Sequence, residues 1–431
     1  MRPGTSVSKK FTALNLVRHH RVVSKNDLAA LTGLSKTTIG TMTDELLAEG
    51  FIKEVRPGES IGGRPPVLLE LDAEKAYAVG LDFEATTIRS VLVNFKGEIV
   101  ASIQTGIETA DEKATVVRKI MDTLHRLLDP PSVPRDKVLG VGIGAPGFID
   151  SRRGIAVSYY SPQNWQDVNL GDLVRYEFGL PVFVDKNIRT MALAEKRFGQ
   201  ARDVDNMICI GIRSGMGLGI VIDGSLFRGV TETAGEIGHI TIDRTGPKCR
   251  CGNRGCLQEL ASGRAIIRRL VGQLKKGRDS KVNELVGGDW DKITLGPIIQ
   301  AAKAGDGLAL ETLRETGDYL GIALANVVNL FNPELIILAG GLVEAGDLVL
   351  DQIRSVVEER ALEFSLKRLR IVASELGDTI AALGASALVL SENADVFDRF
   401  WGKREARNDA DGANAGLKTD MISSSERRRR L

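Results

Sequence analysis

The chain has 431 residues, room for roughly two to four structural units, and its content of 43% hydrophobic and 26% charged residues is that of an ordinary globular protein. A formal net charge of only +1 excludes a nucleic-acid-binding surface spread over the whole molecule. No apolar run approaches the roughly 18 residues of a membrane span, and the first residues lack the apolar core of a signal peptide. We therefore expect a cytoplasmic protein.

Residues 1–74 have the pattern of a winged helix-turn-helix domain. Apolar residues at helical spacing predict a first helix, and Ser24 with Asp27 forms a capping box at the start of a second. Ser35 caps a longer third helix that follows a glycine turn. Two apolar runs, residues 51–55 and 67–71, predict strands on either side of a glycine-rich wing.

The start of the third helix carries short polar and basic side chains that can reach phosphates and base edges in a major groove. With two arginines of the wing, the predicted DNA-contacting residues are Ser35, Lys36, Thr37, Thr38, Thr41, Arg56 and Arg64. Thr43 is expected to be exposed beside them. Residues 1–53 carry 8 Lys/Arg against 4 Asp/Glu, which fits phosphate contact. The alternative is a three-helix protein-interaction module, but the turn, polar helix and wing in this order favour DNA binding.

From residue 75 onwards, apolar strands alternate with helical stretches, which predicts an α/β body. Its opening three-strand meander recurs at residues 207–228, so we expect two similar lobes with a cleft between them. The first lobe is assigned to residues 75–190 plus 378–395, and the second to residues 191–377. Residues 396–431 form a basic tail that we expect to be disordered.

The second lobe contains a dense group of metal-ligand residue types. Three of the four cysteines fall within eight positions, and a histidine lies ten residues upstream, giving the candidate ligands His239, Cys249, Cys251 and Cys256. Thiolates and an imidazole at this spacing are typical of a structural, tetrahedral zinc site. Gly252 and Gly255 allow the backbone to turn tightly around the sulfurs. The alternative is a set of buried or redox-active cysteines.

The order of these motifs resembles that of the ROK family of repressors and sugar kinases, over nearly the whole chain. The cysteine motif, the segment GIGAPGFID and a predicted strand ending at Asp185-Lys186-Asn187 carry the resemblance. It implies an actin/hexokinase-like fold. It also implies either sugar phosphorylation by ATP or, where a winged head is fused, sugar-responsive regulation of transcription.

Three departures from the family's kinase pattern bear on that choice. Glu84 stands where the phosphate-binding loop should carry a glycine, although Asp82 is retained. Asn187 stands at the position of the catalytic aspartate, and an amide cannot accept the proton of a sugar hydroxyl. Gln258 replaces a sugar-contacting glutamate. Asp185, two residues earlier on the same predicted strand, is too distant to substitute. We therefore predict no catalytic residue.

The resemblance also implies a sugar site in the cleft. The matching positions are Asn164, Asn187, Glu236, His239 and Gln258. By the same resemblance, His239 would bind zinc through one ring nitrogen and a sugar hydroxyl through the other. The alternative for each polar residue is an ordinary buried hydrogen bond.

We thus predict a sugar-responsive, DNA-binding transcriptional regulator, and the resemblance favours a repressor of carbohydrate uptake or catabolism genes. The effector would be a sugar or sugar phosphate. A homodimer or homotetramer would place two heads on a pseudo-palindromic operator. The alternatives are an ATP-dependent sugar kinase and a regulator with an empty cleft that responds to a protein partner.

Overall fold

The computed structural model describes residues 6–55, 66–108, 110–129, 133–159, 165–213 and 215–391. Several predicted features lie outside the described residues: the wing arginines Arg56 and Arg64, Asn164 of the predicted sugar site, and the tail. Among the described helices, none is both long enough and apolar enough to cross a membrane.

In its described residues, 6–55 and 66–74, the head has three helices and a small antiparallel sheet. The helices are α1 (Ser6–His20), α2 (Lys25–Thr32) and α3 (Lys36–Ala48), and the strands are β1 (Val22–Ser24), β2 (Ile52–Val55) and β3 (Leu68–Leu71). The strand order is β1-β3-β2. The capping box is confirmed, because the Ser24 hydroxyl accepts from the Asp27 N–H at 3.1 Å and the Asp27 carboxylate accepts from the Ser24 N–H at 3.2 Å. Strand β1 was not predicted, since three residues are too few to show a strand period.

Two five-stranded sheets form the centres of the two lobes. The first contains β4 (Tyr77–Phe83), β5 (Thr87–Asn94), β6 (Ile99–Gly106), β7 (Val138–Ala145) and β11 (Val182–Lys186). The second contains β12 (Met207–Ile212), β13 (Met216–Ile222), β14 (Ser225–Leu226), β15 (Leu335–Ala339) and β16 (Arg370–Ala373). A small third sheet contains β8 (Phe148–Asp150), β9 (Ile155–Ser158) and β10 (Gln166–Val168).

The two large sheets have the same topology. Their orders are β11-β7-β4-β5-β6 and β14-β13-β12-β15-β16. In each sheet an antiparallel meander is extended by two parallel strands. The predicted recurrence of the meander is therefore confirmed. We refer to the parts of the body built on these sheets as the first lobe and the second lobe; the residue boundaries given above stay predictions.

Eleven helices are described in the body, and the longer ones bury an apolar face. They are α4 (Lys113–Leu128), α5 (Leu170–Phe178), α6 (Asn187–Arg197), α7 (Leu257–Ala261), α8 (Gly263–Leu274), α9 (Lys281–Leu285), α10 (Leu295–Lys303), α11 (Gly307–Phe331), α12 (Asp347–Arg360), α13 (Glu363–Leu366) and α14 (Ile380–Leu390).

Helices α6 and α14 pack against each other where the two lobes meet. Every residue of α14 is buried. A Cβ at Gly384 would lie 1.7 Å from the Thr190 carbonyl oxygen, so glycine is required for the helices to come this close. Helix α14 also contacts β4 and β7, so it packs on the sheet of the first lobe.

The head shares its hydrophobic core with the first lobe. Phe11, Leu14 and Leu69 of the head belong to one buried cluster with Phe95 of the first lobe and Leu390 of α14. Apolar contacts of this density resist rigid-body movement of one part against the other. The head is therefore fixed to the first lobe by packing as well as by chain connection.

Polar contacts strengthen this interface. The buried Arg18 guanidinium lies 5.0 Å from the centroid of the Phe95 ring. The Arg18 Nη1 donates to Asn15 at 2.6 Å, and the Asn15 amide donates to the Ser391 carbonyl at 3.2 Å. The head also contacts the segment between α6 and β12, which the predicted boundaries place in the second lobe: Arg202 Nη2 donates to the Arg18 carbonyl at 3.1 Å, near the C-terminal end of α1.

One prediction about the body is wrong. Asp185 and Asn187 were placed on one strand, whereas β11 ends at Lys186 and α6 begins at Asn187. Lys186 has an extended backbone and precedes the first helical residue. The segment from Asn187 onwards continues into α6, whose residues Ile188–Lys196 are all buried, and tertiary burial of this kind decides for helix.

Candidate functional site

The four predicted metal ligands lie together. The candidate ligand atoms of His239, Cys249, Cys251 and Cys256 are all within 4.8 Å of one another. Nδ1 of His239 is 3.7 Å from the Cys249 Sγ, and the same distance separates the Sγ atoms of Cys251 and Cys256. These separations exclude disulfides, whose sulfurs lie about 2 Å apart. Three sulfurs and one ring nitrogen in this arrangement can hold a metal ion.

Glycines permit the fold of this metal cluster. Gly252 and Gly255 both have positive φ, of 96° and 63°. A Cβ at Gly255 would lie 1.5 Å from the Asp243 carbonyl oxygen, so no other residue fits there. The Cys249 N–H donates to the Asn253 carbonyl at 2.7 Å and closes the turn that carries Cys251.

The thiols of the metal cluster differ in their environment. Burial, followed by the neighbouring thiols, raises the pKa of Cys256 to about 12. A hydrogen bond from the backbone of Asn253 lowers the pKa of the exposed Cys251. Three thiolates this close repel one another, so a cation at their centre would stabilise the ionised cluster.

A cleft of about 1160 Å³ lies between the lobes beside this cluster. Four of the predicted sugar-site residues line it: Asn187, Glu236, His239 and Gln258. Asn164 lies outside the described residues. Elements from both lobes supply the walls, so a ligand in the cleft would contact both lobes at once.

Gln258 links the cleft to the metal cluster. It lies in α7, which begins directly after Cys256, and its amide Nε2 donates to the Cys249 Sγ at 3.3 Å. A glutamate at this position would have no N–H to donate and would repel the thiolate. The Gln258 amide therefore serves this chain as a hydrogen-bond donor to the metal cluster.

The acidic end of the cleft is neutralised by an arginine that the sequence analysis did not identify. Arg213, in the turn between β12 and β13, crosses from the second lobe to the first. Its Nη1 lies 2.9 Å from the Asp82 carboxylate and 3.1 Å from the Glu84 carboxylate. Asp82 is completely buried, and burial raises its pKa to about 6 although Arg213 opposes the shift. The signal available in the sequence was one arginine inside an otherwise glycine-rich hairpin.

The Asp185 carboxylate is also held by basic side chains and by a backbone N–H. One carboxylate oxygen of Asp185 accepts a hydrogen bond from Nε of Arg189. The other accepts from Nη2 of Arg228 at 2.8 Å. The Lys186 N–H adds a hydrogen bond of 2.7 Å. Three of the roughly four lone-pair sites of this carboxylate are therefore occupied, and its side chain is almost completely buried. This supports the view that Asp185 does not replace the missing base.

A segment of the second lobe, residues 227–236, holds the lobes together; we call it the strap. Three of its charged residues, at intervals of four, each contact the first lobe. Arg228 pairs with Asp185, Glu232 accepts from the Ser151 N–H at 2.8 Å, and Glu236 pairs with Lys186. Glu232 has a positive φ of 59°, which is uncommon for a residue with a side chain. The strap then leads into the 3₁₀ turn Ile237–His239 and so into the metal cluster.

The recognition helix presents most of its predicted residues to solvent. Ser35, Lys36, Thr37 and Thr41 are exposed, and Thr38 is half-buried. Thr43 is an exception: it is buried and its hydroxyl donates to the Ile39 carbonyl at 2.8 Å. The prediction that Thr43 is exposed is wrong, because it falls on the side of α3 that faces the head's core. The DNA-contacting roles of the others stay predictions.

Residues 78–392 match the ROK family. The xylose repressor of Caldicellulosiruptor bescii is 34% identical over 385 residues, which make up 89% of this chain and 95% of that repressor. A crystal structure of a ROK family transcriptional regulator, a homologue of the E. coli MLC protein, matches with a TM-score of 0.77 and 29% identity, covering 92% of this chain and 99% of the other.

A ROK family glucokinase from Streptomyces griseus, solved in complex with glucose and AMPPNP, matches with a TM-score of 0.67 and 30% identity over 73% of this chain and 99% of its own. The match to the transcriptional regulator covers more of this chain than the match to the kinase does. The two-lobed actin/hexokinase-like fold is confirmed, and the chain belongs to the ROK family.

Proposed function

We propose that this chain is a DNA-binding transcriptional regulator that responds to a sugar and has no kinase activity. One observation carries the proposal: a helix-turn-helix head is packed onto a kinase-like body whose acidic groups Asp82 and Asp185 are both held by arginines. A general base must be available to a substrate proton, and a metal-binding carboxylate must be available to the metal. The repressor and regulator names of the relatives support the same function.

The head supplies the features that DNA binding needs. The start of α3 is exposed and polar, and Lys36 there can approach a phosphate. The excess of basic residues in the head contrasts with a chain of net charge +1. We propose that α3 enters the major groove and that the protein binds as a homodimer or homotetramer, so that two heads read two half-sites.

The shared core of head and first lobe suggests how a signal reaches DNA. An effector between the lobes changes their relative position, and the head moves with the first lobe because the two share one core. In an assembly of two chains this changes the separation of the heads. DNA affinity then changes by the difference in effector affinity between the two positions. Release of a repressor from its operator by a sugar is the arrangement we propose.

We further propose that the metal cluster binds a structural zinc ion. Three thiolates and one imidazole fill all four tetrahedral positions and leave none for a substrate. The ion would fix the start of α7 and the end of the strap, and with them the positions of Gln258 and Glu236. Metal analysis should give one zinc per chain, and Cys251→Ser should lose both the metal and the folded second lobe. A stable, metal-free Cys251→Ser protein would contradict this role.

The test of the main proposal is capture of genomic DNA fragments by the full-length protein at physiological salt. Recovered fragments should share a pseudo-palindromic sequence, and a panel of pentoses and hexoses with their phosphates should contain a compound that releases them. The matched control is a protein with Lys36 and Thr37 changed to alanine, which retains the body and should recover no common sequence. Absence of sequence-specific capture by the unmodified protein would refute the proposal.

The kinase alternative is tested separately with a coupled ATP assay over the same sugars. A turnover above about 1 s⁻¹, the low end of ordinary enzyme rates, would show that the body is catalytic. We expect no turnover above background, because neither Asn187 nor Asp185 can accept the proton of the sugar hydroxyl.

A further inference from the structure

We propose that an exposed apolar patch where α11 ends and α13 begins is the surface on which a second copy of this chain docks. The apolar patch consists of Leu330, Phe331, Leu362 and Phe364. The inference rests on the proposed function in one respect, because a regulator that reads two half-sites with two heads needs two chains. It adds to that function the surface that joins the chains.

The exposure of these four side chains is the first argument. The exposed fractions are 77% for Leu330, 38% for Phe331, 66% for Leu362 and 80% for Phe364. The Leu362 N–H donates to the side-chain oxygen of Asn329 at 2.9 Å, and α13 contacts α11, so the four residues lie at one end of the second lobe. Single exposed apolar side chains are normal, whereas a group of them at one place marks an interaction surface.

The area of the apolar patch fits a contact between two copies. With these exposures, the two leucines and two phenylalanines present on the order of 500 Å², near the top of the range for the largest apolar patch of a monomer. A second copy brings the same patch, so a twofold contact would cover on the order of 1,000 Å² of apolar surface. With its polar rim, such a contact reaches the roughly 1,200–2,000 Å² of a stable interface.

The charges around the apolar patch suit a copy of the same surface. Glu359, Arg360 and Glu363 are exposed next to it, and Arg368 pairs with Glu334 at 3.0 Å. A twofold interface brings one surface against itself, so a rim of a single sign would repel its copy. A rim with both signs can form ion pairs across the twofold axis. This rim therefore favours a second copy over a strongly acidic or strongly basic partner.

The apolar patch also lies on the side of the second lobe that contacts the head. Phe331 is followed three positions later by Glu334, whose N–H donates to the Asn206 carbonyl at 2.9 Å. The same connection between α6 and β12 carries Arg202, which donates to the Arg18 carbonyl at the end of α1. A second copy docked on the patch would lie on the side of the heads, so two heads could reach one operator.

The apolar patch is separate from the effector cleft. It lies near the first residues of β12 and β15, whereas Gly211 and Arg213, which line the cleft, lie at the last residues of β12 and in the turn after it. An effector in the cleft therefore leaves the patch accessible. The second lobes would stay joined through the patch while the first lobes change position.

The experiment is sedimentation equilibrium of the full-length, metal-loaded protein and of variants in which a charge replaces an apolar side chain. The unmodified protein should have the mass of a dimer or a tetramer. Leu330→Asp and Phe364→Asp should each weaken the association about ten-fold or more, and the double variant should have half the mass of the unmodified protein. Phe364→Leu keeps an apolar side chain and should keep most of the association.

Tyr176→Asp is the matched control. Tyr176 lies in α5 of the first lobe, its side chain is 92% exposed, and it does not belong to the apolar patch. The substitution introduces the same charge and should leave the mass of the assembly unchanged. Circular dichroism verifies that each variant is folded, which we expect because the substituted patch residues are largely exposed.

Operator binding provides a second measurement on the same variants. Two heads joined through the body bind two half-sites with a high effective concentration of the second head. The double variant should therefore bind an operator with two half-sites about a hundred-fold or more weakly than the unmodified protein does. Its affinity for an isolated half-site should be unchanged, because the heads are not altered.

The proposal is overturned if the unmodified protein is a monomer, if the folded double variant keeps the full mass, or if Tyr176→Asp weakens the association equally. These outcomes differ from failure of the proposed function. An assembly that dissociates in the patch variants but captures no specific DNA would keep the interface and refute the regulator. A protein that binds a specific operator and keeps its mass in the double variant would do the reverse.

Discussion

The two ends of the cleft differ in what surrounds their polar groups. At one end Asp82 and Glu84 are bound by Arg213, a residue of the opposite lobe. At the other end His239 and Gln258 line the cavity and are held by the metal cluster behind them. At the first end, which we call the closed end, the carboxylates of Asp82 and Glu84 form ion pairs with Arg213. At the second end, which we call the open end, the side chains of His239 and Gln258 remain at the cavity wall. A kinase-like body can thus keep a binding cavity while its acidic residues serve to hold the lobes together.

The largest effect on stability is expected for Arg213→Met, which removes the ion pairs with Asp82 and Glu84 at the closed end of the cleft. The Asp82 carboxylate would then be buried without its cation, and removal of one partner of a buried pair costs about 3–5 kcal/mol. Urea unfolding should show this loss in the free energy of unfolding. Arg89→Met is the control, since Glu84 keeps Arg213 and the other partner of Arg89, Asp378, is exposed. A loss of the same size in both variants would contradict the special role of Arg213.

The same end of the cleft predicts a pH dependence. Asp82 has a pKa of about 6 in the folded protein against 3.8 as the reference value, so the folded state binds its proton more tightly. Its contribution to stability is complete below about pH 4 and is lost as the pH rises through 6. A shift of about two pKa units corresponds to roughly 3 kcal/mol.

Urea unfolding between pH 4 and 7 should therefore show the free energy of unfolding of the natural protein falling relative to that of Asp82→Asn. The variant serves as the reference because it carries every other titrating group. Parallel curves for the two proteins over this range would mean that Asp82 stays ionised when folded.

The open end of the cleft is tested by Gln258→Glu. The amide that donates to the Cys249 sulfur would become a carboxylate that repels it, and loss of such a supporting contact typically weakens metal binding about 10- to 100-fold. Competition with a chromophoric chelator measures this. Glu259→Gln is the control, because the neighbouring residue pairs with Arg268 and does not contact the sulfurs. Unchanged metal affinity in Gln258→Glu would show that the amide does not support the site.

The smallest effect is expected in the head, away from the cleft. Lys36→Ala should weaken operator binding evenly across sequences and lower the slope of log affinity against log salt by about 1, as loss of one phosphate contact does. Fluorescence anisotropy at several salt concentrations measures the slope. Lys367→Ala removes the same charge from an exposed site on the body and should leave it unchanged. Equal slopes for all three proteins would remove Lys36 from the interface.

The features that could be predicted from sequence are those whose parts lie close along the chain. The metal ligands span residues 239–256, and the capping box joins residues three positions apart, so spacing alone identifies them. The pairing of Arg213 with Asp82 joins residues 131 positions apart, and that of Lys186 with Glu236 joins residues 50 apart. Neither pair has a local pattern, because each exists only once the lobes are assembled.

The boundary between β11 and α6 was missed for a related reason. A short apolar run followed by polar residues is compatible with a longer strand, and only the burial of α6 against α14 favours a helix from Asn187 onwards. The predicted distance between Asp185 and Asn187 assumed that both residues lie on one strand, so it was based on the wrong backbone geometry. The position of Asn187 at the cleft was nevertheless anticipated, since the end of a parallel strand and the start of the next helix occupy the same edge of the sheet.

The packing of α14 has a consequence for folding during synthesis on the ribosome. The head is synthesised first, but the core that it shares with the first lobe contains Leu383, Val389 and Leu390, and Asn15 bonds to Ser391. Until residues 380–391 have been translated, apolar surface of the head and of the first lobe stays exposed to solvent. A chain that ends before α14 therefore lacks part of the core that fixes the head to the first lobe.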